Sequence, residues 1–284
     1  MSLLSPAQMV QRMGTAINLG GFFEMQKHDC SPQTASPVIK AFADKGFKCV
    51  RVPVTWYPDA LNGACRLDDA TFMKNLDNVI YYSISLGMCV VLNAHFENWI
   101  HDHFNGEQAI KDKFWGLWKS IATRYNGISQ HDLVFEVLNE PHKMLGGWEW
   151  NNCNDPAALD RCRVINKTGF DGVRAVSKNR IIMLPVNGMQ SICQCQQVYS
   201  NISSFPMSGA DQFLMLSVHE YVPWDTFCGE QATNDFYLRQ ADPYHSMWVD
   251  LDNLFNGLTQ WKNSLNYPSL ALALTETGVG DAIN

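Results

Sequence analysis

Two glutamates close two apolar runs of the chain. Glu140 comes near the end of "LVFEVLNEP" (133 to 141), between Asn139 and Pro141, and Glu276 comes near the end of "LALALTETG" (270 to 278). Apolar runs of this length read as buried strands, so a carboxylate at each end needs a reason. Two carboxylates facing one space suit cleavage of a glycosidic bond. One must carry a proton for the leaving oxygen, and the other must be ionised to attack the anomeric carbon or to activate water. Their surroundings must therefore differ, with positive or hydrogen-bonding neighbours holding one of them ionised. Arg51 and Tyr221 are candidates to hold and orient an ionised Glu276. Asn139 is placed to hydrogen-bond a sugar 2-hydroxyl beside Glu140.

The same pattern recurs along the chain. The other strand candidates are "AINLGGFFE" (16 to 24), "CVRVPVTW" (49 to 56), "MCVVLNAHF" (88 to 96), "RIIMLPVNG" (180 to 188) and "LMLSVHEYVPW" (214 to 224). Toward their C-terminal ends lie Asn18 and Glu24, Arg51, Asn93 and His95, Asn187, and His219 and Tyr221. Between the runs are segments with helical apolar spacing, several stopped by glycine, such as "PVIKAFADKGF" and "DATFMKNLDNVIYYSISLGM". Strand and helix in alternation predict a parallel sheet in one domain over 1–284, either open and doubly wound or closed as a (β/α)₈ barrel. Gly20 and Gly21 follow the first run, but G-x-G-x-x-G is absent, which weakens a nucleotide-binding open sheet. In a barrel the strand ends gather on one face, where such folds keep their active sites. Seven βα units are evident, and 284 residues is a common length for a single barrel.

Composition narrows the partners. A hydrophobic share of 46% and a charged share of 17% describe a globular chain. The net charge of −7, with no basic cluster, argues against nucleic acid and anionic membranes. There is no run of eighteen apolar residues and no basic-then-apolar leader in "MSLLSPAQMVQRMG". Of nine cysteines, Cys49 and Cys89 fall in strand-like runs and read as buried thiols. Seven others (Cys30, Cys65, Cys153, Cys162, Cys193, Cys195 and Cys228) fall in loop-like segments, which leans toward an oxidising, extracellular setting. Cys153 with Cys162 and Cys30 with Cys65 are candidate disulfides.

Together these segments resemble the glycoside hydrolase family 5 endoglucanases, over nearly the whole chain. "FEVLNEP" resembles the fourth-strand motif, which implies Glu140 as acid/base with Asn139 beside it. "LTETG" resembles the seventh-strand motif of the nucleophile, Glu276. "VRVPVTW" matches the second strand and its arginine, Arg51. "LNAHFENW" is similar to the third-strand pattern, with His95 in the first histidine place and Phe96 where a second histidine is usual. "VHEYVP" resembles the sixth strand, implying roles for His219 and Tyr221. "NLG" resembles the first strand and brings in Asn18. The resemblance implies a (β/α)₈ barrel and a retaining hydrolase of β-1,4-glucan polysaccharide that uses no metal or organic cofactor, while the loop cysteines point to a secreted protein. It also implies an eighth strand bearing an aromatic floor for the sugar. The chain ends eight residues after Glu276, so the expectation is a longer native chain.

Other residues carry weaker signals. His95, Glu97, His101 and His103 lack H-E-x-x-H spacing, and the last two read as exposed loop histidines rather than metal ligands. Trp56, Trp99, Trp148, Trp150 and Trp224 lie near strand ends, where a flat ring could stack on a sugar; Trp224 is the strongest of them. Trp115, Trp118, Trp248 and Trp261 have helical spacing and read as packing. The alternatives within the same chemistry are a β-mannanase or a xyloglucanase. Outside it, the alternative is a non-catalytic carbohydrate-binding barrel.

Overall fold

The computed structural model describes residues 2–25, 27–58, 63–221 and 243–277. Seven strands run parallel in sequence order: β1 (Ala16–Asn18), β2 (Cys49–Val52), β3 (Cys89–Asn93), β4 (Leu133–Glu136), β5 (Ile182–Pro185), β6 (Leu214–His219) and β7 (Ala271–Glu276). Each pairs with the next, and helices lie between, which makes a nearly closed barrel. The open-sheet alternative is thereby set aside. The strands are shorter than the apolar runs that announced them. The ladder of β4 stops at Glu136, and the first run keeps three strand residues before turning at Gly20 and Gly21.

Alternation along each strand sorts the side chains. One set (Val50, Val52, Val90, Leu92, Leu133, Phe135, Ile182, Leu184, Leu214, Leu216) joins the core beneath the helices. The other set fills the barrel interior: Cys49, Cys89, Val91, Val134, Met183, Met215, Ala271 and Ala273. Helix α1 (Pro6–Met13) adds Met9 and Met13 to that interior. Its start is set by Ser5, whose side chain accepts from the Gln8 N–H while Gln8 Oε1 accepts from the Ser5 N–H, with Pro6 in the first turn.

The outer helices are α2 (Pro32–Asp44), α3 (Ala70–Ser85), α4 (Asn98–His101), α5 (Gln108–Arg124), α6 (Pro156–Arg174) and α7 (Pro243–Ser264). Helix α3 starts at Asp69, which caps the Thr71 and Phe72 N–H groups, and buries Phe72, Leu76, Val79, Ile80 and Ser83 along one stripe. Gly172 lets α6 approach α5 closely, since a Cβ there would stand 2.6 Å from the Trp115 carbonyl oxygen.

Among the described residues β1 and β7 share no ladder, and a cleft of about 360 Å³ separates them. It is lined by Thr15 to Asn18 on one side and Leu272 to Thr275 on the other. The Asn18 side chain bridges it near the top, donating from Nδ2 to the Thr275 carbonyl at 3.1 Å.

Candidate active site

The inward set ends, at the C-terminal rim, in polar residues. Asn18, Arg51, Asn93, Glu136 and His219 share the face of the interior side chains, and register places Asn18 beside Arg51 and Asn93 beside Glu136. Glu276 does not belong to that face by alternation, because it has the parity of Leu272 and Leu274. A register shift between Val218 and His219 pairs His219 with Glu276 instead of Thr275. A bulge of this kind re-aims a side chain, and it turns Glu276 into the mouth.

Arg51 is the hub, buried to 2% exposure. Its Nε donates to Glu136 Oε2 at 2.6 Å, Nη1 to Glu276 Oε1 at 2.6 Å and to Asn18 Oδ1 at 3.0 Å, and Nη2 to Asn139 Oδ1 at 2.7 Å. Burial disfavours the guanidinium charge, but Glu136 and then Glu276 outweigh that and raise its pKa. Burial alone would likewise raise Glu136, yet Arg51 prevails and holds it below the ordinary carboxylate value.

His219 stands between the two glutamates. Its Nδ1 is 2.9 Å from Glu140 Oε1 and 3.5 Å from Glu276 Oε2, and the Tyr221 hydroxyl donates to Glu276 Oε2 at 3.1 Å. One oxygen from each glutamate and a His219 nitrogen lie within 4.8 Å of one another. Glu140 has φ of +43°, an uncommon left-handed conformation for a non-glycine residue. Its N–H is held by Gln190 Oε1 at 2.6 Å. His95 Nδ1 meets Asn93 Nδ2 at 3.2 Å and so acts as the acceptor. Burial, then Arg51 and His219, push the His95 pKa well down, so the ring is neutral.

A neighbouring cluster forms just past the C-terminal ends of β2 and β3. Glu97 is fully buried and accepts from the Trp56 N–H and Trp99 Nε1, both at 2.6 Å. Burial pushes its carboxyl up to about 7, against those donors and Lys113. Between the ordinary 4.5 and about 7, the folded chain keeps a proton that the unfolded chain has lost, so stability falls as pH rises through that window. Thermal melts from pH 4 to 8 should show that decline, amounting to about 3 kcal/mol in all. The Glu97→Gln variant should lack it.

Of the other expected residues, Trp56 and Trp99 are buried packing, while Trp148 and Trp150 are exposed at 53% and 48%. Trp118 and Trp261 are buried as read, but Trp115 is 36% exposed under Lys119. His101 is not an exposed loop histidine: it is buried at the end of α4 and stacks on His142 at 4.1 Å. Glu24 caps the Gly21 N–H, and Asn187 donates to the Cys153 carbonyl at 2.8 Å, so both brace loops. Trp224 and Cys228 lie outside the described residues, as does the side chain of Trp248. The candidate disulfides are open thiols, with Cys162 deep in α6 and Cys153 in the loop before it. Of the described residues, Glu140, His219 and Glu276 form the group able to offer three ligands to a metal; the 95 to 103 histidines do not. Glu136 and Gln190 were not anticipated. Glu136 had a signal, since a carboxylate inside an apolar strand must find a partner.

The sequence matches the profile described as cellulase (glycosyl hydrolase family 5) over residues 10–284. The chain belongs to glycosyl hydrolase family 5. Family relatives include endoglucanase A of Ruminococcus albus, 27% identical and covering 97% of this chain and 74% of the relative. Endoglucanase B of the same organism is 26% identical, and the chain spans 63% of its length. It spans 31% of the cellulase/esterase CelE of Acetivibrio thermocellus, at 27% identity. Among solved structures, a GH5-4 broad specificity endoglucanase from Clostridium longisporum superposes with a TM-score of 0.75 at 22% identity, covering 98% of this chain and 80% of that one. Thermotoga maritima Cel5A with cellobiose gives 0.70 at 20%, covering 97% and 82%. These superpositions show the shared barrel fold.

Proposed function

We propose that this chain is an endo-acting hydrolase of β-1,4-linked glucan that works by retaining double displacement. The observation that carries the reading is the closeness of the Glu140 and Glu276 carboxyls, with oxygens within 4.8 Å across the mouth. Retaining pairs stand about 5–5.5 Å apart, and inverting pairs about 6.5–9.5 Å, to admit a water. Glu276 is the nucleophile: Arg51 and Tyr221 both donate to its oxygens and so orient its carboxylate toward the mouth. Glu140 is the acid/base. It gives its proton to the leaving oxygen as Glu276 bonds the anomeric carbon, then takes a proton from the water that frees the sugar. Asn139 spends its Oδ1 on Arg51, so its Nδ2 is the group left for a sugar hydroxyl. Asn18 spends both ends of its amide on Arg51 and Thr275, so its part in binding is indirect. The exposed rings of Trp148 and Trp150 extend the binding face along a polymer. An insoluble polymer cannot enter a cell, so this reading also places the enzyme outside it.

The names of the relatives, endoglucanases and a cellulase/esterase, favour glucan. The mannanase reading keeps a place because Thermotoga Cel5A has also been solved with mannotriose. A panel of carboxymethylcellulose, mixed-linkage glucan, xyloglucan and mannan should give the fastest chain cleavage on the β-1,4-glucans. NMR of the first-formed reducing end should show the β anomer. An α anomer would replace the nucleophile with a base, and binding without cleavage of any polymer would leave a carbohydrate-binding barrel.

A further inference from the structure

Gln190 is fully buried and sits outside the strands, in the turn after β5. Gly188, Met189 and Gln190 have successive φ values of +59°, +58° and +60°, a left-handed run that two non-glycine residues rarely sustain. The run is pinned beyond by Ser191, which bridges to His219 on β6. It aims the Gln190 side chain into the barrel. There Oε1 accepts the Glu140 N–H at 2.6 Å, while Nε2 donates to Ser217 Oγ at 2.8 Å and Glu136 Oε1 at 3.1 Å. The far side of Glu136 is held by Arg51, and Arg51 holds Glu276. One hydrogen-bonded chain thus runs from the backbone of Glu140 through Gln190, Glu136 and Arg51 to the carboxylate of Glu276. Glu140 itself has the unfavourable φ of +43°, and the Gln190 contact is what holds its N–H in that conformation. An amide fits both ends of this link: it presents an acceptor to the backbone and a donor to the carboxylate.

We infer that Gln190 is a positioning residue for the acid/base, fixing the left-handed backbone of Glu140 so that its carboxyl meets the leaving oxygen. The inference rests on the glycosidase reading above and extends it to a residue outside the mouth. It makes a specific demand. Losing Gln190 should harm only reactions that need a proton on the leaving group. General acid catalysis contributes about 10²–10⁴-fold, and misplacing the acid should cut the rate to about a tenth to a hundredth on demanding donors.

The test compares an aryl β-cellobioside with a poor leaving group, phenol, and one with a good leaving group, 2,4-dinitrophenol, in the full chain. Gln190→Met, close in size but without the amide, should lower kcat on the phenyl donor about 30-fold with KM within about twofold. On the dinitrophenyl donor the rate of glycosyl transfer to the enzyme should fall less than about threefold. Gln190→Glu restores the acceptor, and below about pH 5, where the new carboxyl can carry a proton beside Glu136, it should recover most of the phenyl rate. Equal losses on both donors would mean that Gln190 only supports the fold, and no loss on the phenyl donor would mean that Glu140 needs no such brace. Either overturns the inference. If Gln190→Met does not fold, the two donors measured with Gln190→Glu across pH decide it, since a purely structural residue would show no donor-dependent recovery. A wild-type chain inert toward both donors would instead sink the hydrolase reading itself.

Discussion

Glu140→Ala and Glu276→Gly should each lower hydrolysis of β-1,4-glucan by about 10⁴-fold or more, yet azide should rescue them with opposite stereochemistry. Glu140→Ala keeps the nucleophile. A dinitrophenyl donor departs without a proton, so Glu276 still forms the glycosyl-enzyme, and azide then enters the space left by the acid/base. Two inversions give a β-glycosyl azide. In Glu276→Gly the carboxylate is gone, but the groups that held it remain. Arg51 Nη1 and the Tyr221 hydroxyl, which reach its two oxygens at 2.6 and 3.1 Å, face the vacated space. A small anion held there attacks the β-aryl donor directly and inverts it to the α-glycosyl azide. Proton NMR of the two products separates the roles. The same anomer from both variants would remove the assignment of acid/base to Glu140 and nucleophile to Glu276.

The parts of this site that could be read from sequence are those at the ends of apolar runs. Arg51, Asn139, Glu140, His219 and Glu276 announced themselves because a polar residue there contradicts the burial of its own strand, and a barrel resolves the contradiction by bringing the ends together. Residues inside the pattern stayed hidden. Glu136 lies in the same run as Glu140, four residues earlier, and its role appears only when register sets β4 near Arg51. The route of Glu276 into the mouth was also hidden. Strict alternation would send it outward with Leu272 and Leu274, and the register shift that corrects it leaves no mark in the residue types. Gln190 depends on three successive left-handed residues, of which only Gly188 hints at such a backbone. His101 reads from the sequence as an exposed loop histidine because its segment lacks strand periodicity, but it ends α4 and is buried against the ring of His142.

Arg51→Met should destabilise the chain by about 3–5 kcal/mol, the usual cost of leaving one member of a buried ion pair without its partner. The stranded group is Glu136, which is wholly buried and loses its 2.6 Å partner. Asn93 and Gln190 still donate to it at 3.4 and 3.1 Å, but neither brings a charge. The double variant Arg51→Met with Glu136→Gln should recover most of that stability, because a neutral amide in place of the carboxylate has little desolvation left to offset. Activity should not follow. Glu276 would have lost its cationic donor in both variants, so glucan hydrolysis should stay low in the stable double variant as in the unstable single one. pH gives a second reading of the same pair. Arg51 holds the folded pKa of Glu136 below its ordinary 4.5, so the pair contributes stability above about pH 4.5 and loses it as pH falls through the lower, folded value. Glu136→Gln should remove that acid-side loss from the melting curve and leave the Glu97 slope on the neutral side untouched. A double variant as unstable as Arg51→Met would show that the arginine supports the barrel through packing, and that its pairing with Glu136 contributes little to the fold.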